Sequence, residues 1–397
     1  MNHDNAEDVV LVSAARTPFG KFGGALRSFS IPDLAGLAGH EVLRRAGVDP
    51  GDAEEFALGV NLPGSDRSLA RQGLLRAGIP DDRNAYTVDR ACCSSLTAIT
   101  MVSRSIRLGE ITVGLAGGAE NLSRVPYYVE DMRWGRPLGD VVLKDQLVIS
   151  CPHTHAPRAV QASDEALAFG VTRSEQDAWA LRSQQRYAAA EAAGRLAEER
   201  FPITLDDGVR LTTDESPRSE TSIEKLASLP TVYGSETVTA GNAPALSTGA
   251  SAVVLMSHAE ARRRELSPLA TVLATAMASG HPAGIASIPA AAALAVLRKA
   301  GLTLADVDLI EVNEAFAAVP LVTTLVLAGK DVRAADLLRE KVNVNGGAIA
   351  VGHPTGATGA RLVMALTNEL RRRGGGLGLV TICGGIGEAE ALLIRVS

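Results

Sequence analysis

The sequence predicts an α/β fold with an inserted middle segment, and three observations carry that prediction. Short apolar runs alternate with helical patterns from the amino end, the same alternation resumes after residue 241, and the stretch 121–239 between them breaks it. A weaker sign hints at two related halves. Leu115-Ala116-Gly117-Gly118-Ala119-Glu120 and Gly378-Leu379-Val380-Thr381-Ile382-Cys383-Gly384-Gly385 are both apolar runs ending in glycine, although any buried strand followed by a glycine turn looks alike.

The elements follow in order. Val9-Val10-Leu11-Val12 is too short for a helix and reads as a buried strand entering the loop Ala15-Arg16-Thr17-Pro18. Residues 33–46 place apolar side chains at helical spacing behind a Pro-Asp start and stop at Gly47. Within 121–239, Tyr127, Tyr128, Trp134 and several prolines precede one long amphipathic helix over 173–195. It opens at Thr172 or Ser174 and stops near Gly194, with Arg182, Gln184, Gln185 and Arg186 expected on a solvated face. The polar, turn-rich stretch 206–224 reads as surface loop. Apolar runs at 252–255 and 270–273 restore the strand pattern, and the alanine-rich 289–300 reads as a buried helix.

Composition narrows the class. The 397 residues, with 39 Lys+Arg against 45 Asp+Glu, a net charge of −6 and 46% hydrophobic residues, describe a globular chain with material for a large core. Mild acidity without blocks of like charge argues against a nucleic-acid surface or a basic membrane anchor. Four cysteines, two of them adjacent at Cys92 and Cys93, do not make a disulfide framework and favour a reducing compartment. The polar, acidic opening lacks the features of a secretory signal, and no apolar stretch reaches eighteen residues, so a cytoplasmic location is expected.

Chemistry concentrates at a few positions. Cys92 follows a strand-like run and precedes the helical pattern 96–108, and unpaired backbone N–H groups at such a helix start favour a thiolate. His353 sits in a glycine-dense segment, 343–361, whose glycines permit close approach of backbone to a ligand; no Gly-Lys-Ser/Thr follows, which disfavours a phosphate-cradling loop. Cys383 ends another strand-like run, and Asn313 and Glu314 form a polar pair in apolar surroundings, where buried groups require partners. Cys151-Pro152-His153-Thr154-His155 crowds three ligand types into five residues, too tightly for good geometry at one ion, and reads as pocket wall with no metal. Cys93 reads as packing.

In these residues the chain resembles the thiolase family, the coenzyme A dependent acyltransferases that make or cleave β-ketoacyl thioesters. The blocks run in the family's order over nearly the whole length. They are Val-Ser-Ala-Ala-Arg-Thr-Pro-Phe-Gly at 12–20, the block at Cys92, Gly-Gly-Ala-Glu-Asn-Leu-Ser at 117–123, Thr-Ala-Gly-Asn-Ala at 239–243, Asn-Glu-Ala-Phe at 313–316, 346–361, and Cys383-x-Gly385. The resemblance implies a five-layered α/β/α/β/α fold of two similar halves. Residues 1–120, completed by about 240–265, would form the first half, 121–239 an inserted loop domain for coenzyme A, and 266–397 the second half. It further implies Cys92 as the acyl-accepting nucleophile, His353 as its activator and Cys383 as acid/base at the α-carbon. His353 with a water held by Asn313 would serve the enolate oxygen, and the backbone N–H groups of Cys92 and Gly385 the tetrahedral oxyanion. Glu314 either orients this network or caps a backbone segment.

Coenzyme contacts implied in the same way fall on Arg218, Ala243, Pro244 and Arg158. Acyl-CoA is then a substrate, with no tightly bound cofactor, and a homodimer or homotetramer is expected. The chain departs from the family at specific places. Asp89 replaces an asparagine three residues before the nucleophile, and an ionised carboxylate there would raise the Cys92 pKa, with Arg90 available to offset it. Pro244 replaces a serine and Thr248 an aspartate. The family's His-Met-Gly-x-Thr-Ala-Glu stretch, which shapes the pantetheine and acyl pocket, is replaced by Pro157-Arg158-Ala159-Val160-Gln161-Ala162-Ser163. Alternatives to an ordinary thiolase are an acyltransferase using another carrier or acceptor, and a catalytically silent acyl-CoA-binding scaffold.

Overall fold

The computed structural model describes residues 7–148 and 150–397. A ten-stranded mixed sheet carries the fold. Its main strands are β1 (Val9–Arg16), β2 (Glu55–Gly59), β3 (Asn84–Val88), β4 (Val113–Asn121), β5 (Ser247–Ser257), β6 (Ala270–Ser279), β7 (Leu309–Val312), β8 (Gly376–Cys383) and β9 (Glu388–Val396), and the two-residue strand Gly20–Lys21 pairs with β5. The helices that build the layers are α1 (Ile31–Ala46), α2 (Leu69–Arg76), α3 (Ser94–Arg107), α4 (Arg158–Ala168), α5 (Arg173–Ala192), α6 (Ile288–Ala300), α7 (Ala318–Leu327) and α8 (Thr358–Arg372).

Across the sheet the order is β7-β8-β9-β6-β1-β5-β4-β2-β3, and it contains one arrangement twice. In the first half β2 runs parallel to β3 and β4, β4 pairs antiparallel with β5, and β5 antiparallel with β1. In the second half β7 runs parallel to β8, β8 pairs antiparallel with β9, and β9 antiparallel with β6. The two glycine-ended runs that look alike in sequence are therefore equivalent strands, β4 and β8. A seam of three residue pairs between β1 and β6, from Val9↔Val272 to Leu11↔Ala270, joins the halves.

Side-chain alternation along the strands sorts them into layers. Val9 and Leu11 of β1 share a central core with Val253 and Leu255 of β5 and with α3 and α8, while Val10, Val254 and Met256 face α1 and α2. Leu392 and Ile394 of β9 join the same central core, and Ala391 and Leu393 face a third core under α6. The result is the five-layered α/β/α/β/α order, with α3 and α8 packed on each other in the middle. Local signals agree with it: Ser30 and Asp33 form a reciprocal capping box at the start of α1, and Gly47 ends it at φ 64°.

The segment 121–239 is bound into the second half rather than free-standing. Ala159, Ala162 and Ala166 of α4 and Trp179 and Ala180 of α5 pack in the same core as Ile310 and Val312. This corrects the expected solvated face of the long helix. Arg182 stacks 4.6 Å from the Trp179 ring centre and donates to the Arg339 carbonyl, Gln184 donates to the Ile349 carbonyl, and Arg186 donates to the Val342 carbonyl; only Gln185 of the four is exposed. Periodicity marks a polar face and cannot say whether carbonyls of another segment will cover it.

The stretch 206–224 is corrected in part for the same reason, because Asp214 within it is fully enclosed. Its carboxylate accepts from both terminal nitrogens of Arg16 at 2.7 and 2.9 Å, from the Phe19 N–H, from the Tyr187 hydroxyl and from Arg200. Arg16 also binds Glu199 at 3.0 Å. Burial alone would push the Asp214 pKa up, but the Arg16 charge and its hydrogen bonds hold it below the usual carboxylate range. The Arg-Thr-Pro-Phe block thus ties the insert to the end of β1. Asp214→Ala leaves Arg16 buried with one carboxylate fewer and is expected to cost about 3–5 kcal/mol. A urea-denaturation midpoint indistinguishable from wild type would contradict this anchoring role.

Candidate active site

Cys92 is set by a short turn between β3 and α3. Ala91 adopts a left-handed φ of 49°, which turns the chain sharply so that Cys92 stands clear of strand and helix. Ser94 locks the turn, accepting from the Arg90 N–H at 2.9 Å and donating to the Ala91 carbonyl at 2.6 Å. Arg90 is fixed in turn by Glu388 and Glu390. Cys93 points away, its sulfur 3.5 Å from the Ile382 carbonyl in the central core.

His353 arrives from the other half on the loop that precedes α8. Its backbone N–H donates to Ser247 Oγ at 3.1 Å, and the two residues that follow Pro354 are held by Glu120. Glu120 lies wholly buried at the end of β4 and accepts from the N–H groups of Asn61, Leu62 and Gly356 and from the Thr355 hydroxyl. A single carboxylate therefore ties the His353 loop to the first half. In sequence Glu120 is visible only as one member of a glycine-rich block.

Across this junction Nε2 of His353 lies 3.1 Å from the sulfur of Cys92. The tautomer follows from Thr358. Its hydroxyl donates its one proton to the Pro354 carbonyl at 3.0 Å, so at 2.7 Å from Nδ1 it accepts, and Nδ1 carries the imidazole proton. Nε2 then presents a lone pair to the thiol. This is the geometry of a nucleophile beside its base.

The electrostatics keep both groups neutral at rest. Burial pushes the Cys92 thiol pKa well up, helped by the nearby Cys383 and Glu120, and only weakly opposed by Arg158. Burial and the Arg361 charge bring His353 down to about 3. Desolvation thus works against the thiolate that a helix start favours. Asp89 is not among the groups that raise the thiol: it is exposed, and its carboxylate accepts from the Ala91 N–H at 3.0 Å.

The remaining predicted residues gather at the ends of β7 and β8. Asn313 follows β7, bonds through its N–H to the Thr381 carbonyl and brings its amide nitrogen 3.4 Å from His353 Nε2. Among the described residues its buried Oδ1 has no protein partner. Cys383 ends β8, enclosed, with its pKa pushed up to about 12 by burial. Gly385 follows and lies against the nucleophile turn, since a Cβ built there would stand 3.0 Å from the Ala91 Cβ. Glu314 acts structurally: it accepts from Trp179, Ser183 and Asn343 side chains and the Ile349 N–H, clamping α5 to the second half behind the His353 loop.

The four residues expected to meet coenzyme divide into two places. Arg218 is exposed and donates to the Ala240 carbonyl at 3.2 Å, so it shares a surface with the loop bearing Ala243 and Pro244. That loop continues to Leu246, which pairs with His353, and so leads from the surface to the catalytic histidine. Arg158 stands instead at the inner end, 3.8 Å from the built Gly385 Cβ. In the 151–155 cluster only Cys151 is buried, and among the described residues no group of three His, Cys, Asp or Glu side chains is placed to hold a metal ion.

A thiol and a neutral imidazole meeting where two α/β halves join is machinery for acyl transfer. The comparisons with known proteins fall in the same class. The thiolase N-terminal domain matches residues 9–259 and the thiolase C-terminal domain residues 266–396. A probable acetyl-CoA acetyltransferase of Escherichia coli (strain K12) is 40% identical over 397 residues, covering 98% of this chain and 99% of that protein. The mitochondrial 3-ketoacyl-CoA thiolase of Homo sapiens is 39% identical over 398 residues, 98% of each. The crystal structure of human mitochondrial 3-ketoacyl-CoA thiolase in complex with CoA matches with a TM-score of 0.93 at 38% identity, covering 100% of both chains. The chain belongs to the thiolase family. It is an enzyme, an acyl-CoA C-acyltransferase.

A resting thiol whose pKa lies above its ordinary value has a thiolate fraction that rises about tenfold per pH unit through neutrality. Alkylation of Cys92 by iodoacetamide, followed by peptide mass analysis without substrate, is expected to climb steadily from pH 6 to 9. A plateau already reached below pH 7 would mean a thiolate–imidazolium pair at rest.

Proposed function

We propose that this enzyme makes or cleaves a β-ketoacyl-CoA through an acyl group carried on Cys92, and the observation that carries the reading is the 3.1 Å contact between that sulfur and an unprotonated His353 Nε2. As Cys92 attacks the thioester carbonyl, its proton passes to Nε2, so the thiolate exists only while it is being consumed. The coenzyme thiolate leaves and recovers that proton. Backbone N–H groups of Cys92 and Gly385 receive the tetrahedral oxyanion, and a water held by Asn313 receives the enolate oxygen together with His353 once Nε2 is protonated, each donor set contributing about 3 kcal/mol.

Cys383 then removes the α-proton of a second acyl thioester, whose carbanion attacks the acyl-Cys92 carbonyl. Charge supplies the order of events. After burial, Cys383 is the chief neighbour opposing ionisation of Cys92, so the two thiolates exclude each other. Once Cys92 is a neutral thioester this repulsion is gone, and Cys383 can ionise in its turn by passing its proton to His353 Nε2, which returns it to the Cys92 thiolate when the product leaves. Thiolytic cleavage runs the same steps backwards, with substrate levels deciding the direction.

The insert, with Arg218 and the loop of Ala243 and Pro244, forms the coenzyme site in this reading, the CoA complex of the human relative being its support. A cytoplasmic location, supported by four cysteines that are all unbridged, and assembly as a homodimer or homotetramer complete it. Intact-protein mass spectrometry after brief incubation with acetyl-CoA is expected to show an acetyl adduct on the wild type and none on Cys92→Ser. Cys383→Ser is expected to load normally yet lose exchange of the acetyl-CoA methyl protons in D2O by about a thousandfold. A wild type that never loads would instead support the silent scaffold or a different acyl carrier.

A further inference from the structure

Arg158 is the first residue of α4 and occupies the second position of the stretch that replaces the family's His-Met-Gly, where a methionine would stand in the acyl pocket. An apolar acyl chain has no use for a guanidinium there. The side chain is directed at the reacting centre: Nη2 lies 3.8 Å from a Cβ built on Gly385. Its charge is felt by Cys92, Cys383 and Cys151 alike.

The guanidinium is positioned but not neutralised by a carboxylate. Nη1 donates to Gln161 Oε1 at 2.8 Å, and Gln161 is held by the Thr154 hydroxyl at 2.7 Å. Among the described residues no Asp or Glu forms an ion pair with Arg158. Glu165, on the same helix, is engaged elsewhere, accepting from the N–H groups of Ile285, Ala286 and Ser287. Burial works against ionisation of Cys151, yet Thr154, His153 and the Arg158 charge bring its thiol down to about 6; among the described residues no hydrogen bond joins it to Arg158. Phosphate is excluded by position, because the whole pantetheine arm separates coenzyme A's phosphates from its sulfur.

We propose that Arg158 recognises a carboxylate at the far end of the acyl group, so that the preferred acyl donors are CoA thioesters of short dicarboxylic acids and the β-keto products carry a terminal carboxylate. A planar fork with one arm tied down by Gln161 is suited to a two-point grip on a carboxylate, and an uncharged chain of equal length leaves it unpaired. The inference rests on the acyl-Cys92 reading. In the tested step the Cys92 sulfur–carbon bond forms, the carbon–sulfur bond to coenzyme A breaks, and the leaving thiolate takes the proton from His353.

The test is the rate of adduct formation on Cys92, followed by intact-protein mass spectrometry with the full chain. Succinyl-CoA and glutaryl-CoA are compared with butyryl-CoA and valeryl-CoA, uncharged donors of matched carbon count. Wild type is expected to load at least one dicarboxylic donor about tenfold or more faster than its match. Arg158→Met is expected to shrink that ratio by about ten- to a hundredfold, and Arg158→Lys, which keeps charge without the fork, by less. The proposal is overturned if wild type favours the uncharged member of both pairs, or if Arg158→Met slows both members of a pair in proportion. Absence of any adduct from acetyl-CoA would instead sink the acyl-Cys92 reading itself.

Discussion

Everything at the catalytic centre depends on two backbones from different halves of the chain coming into contact. The loop that bears His353 lies directly on β4, where a Cβ at Gly118 would overlap the Gly356 carbonyl. The first turn of α8 lies equally close to α3, since a Cβ at Gly359 would stand 2.6 Å from the Leu96 nitrogen. Ser95 Oγ accepts from the Ala360 N–H at 3.0 Å across the same contact. Only glycine at these places lets the helices approach until the Cys92 sulfur and His353 Nε2 are within a hydrogen bond of each other. The glycine density of the sequence is therefore a packing requirement of the interface between the halves.

What keeps the contact from relaxing is a set of enclosed carboxylates, each joining segments distant in sequence. Glu120 binds the His353 loop to the ends of β2 and β4, Glu314 binds α5 to the second half, and Asp214 binds the insert to β1. None of the three is left short of donors, which is the condition under which buried charge organises a structure rather than destabilising it. Glu120 has a further effect, because its charge opposes ionisation of Cys92. The group that brings the base to the nucleophile thus also adds to the burial and the Cys383 charge that oppose its ionisation.

The sequence made the architecture legible where local pattern decides it. The strand at Val9, the helix ended by Gly47, the interruption at 121–239 and the catalytic blocks all follow from periodicity, turn residues or motif order. It was opaque where the partner is remote. Arg182 and Arg186 look like solvated residues until the carbonyls of 339–342 cover them. Asp214 looks like loop until Arg16, 198 residues earlier, meets it. Thr358, which sets the imidazole tautomer, carries no signal apart from its place five residues after His353. The resting state of Cys92 is hard to read for a related reason. A helix start can be seen in sequence, but the desolvation that opposes it cannot.

The seam between β1 and β6 has a consequence for how the chain comes to be folded. β1 lies in the middle of the sheet, yet its partners are β5 and β6, more than 200 residues downstream. On the ribosome, at about 5–20 residues per second, Val9-Val10-Leu11-Val12 must wait roughly ten to fifty seconds before a strand exists to pair with it. During that interval four consecutive apolar side chains and an open edge are available to any neighbouring nascent chain. Assembly of the sheet thus waits for β5 and β6, made past the middle of the chain, and a truncated chain ending before β5 has no place to put its first strand.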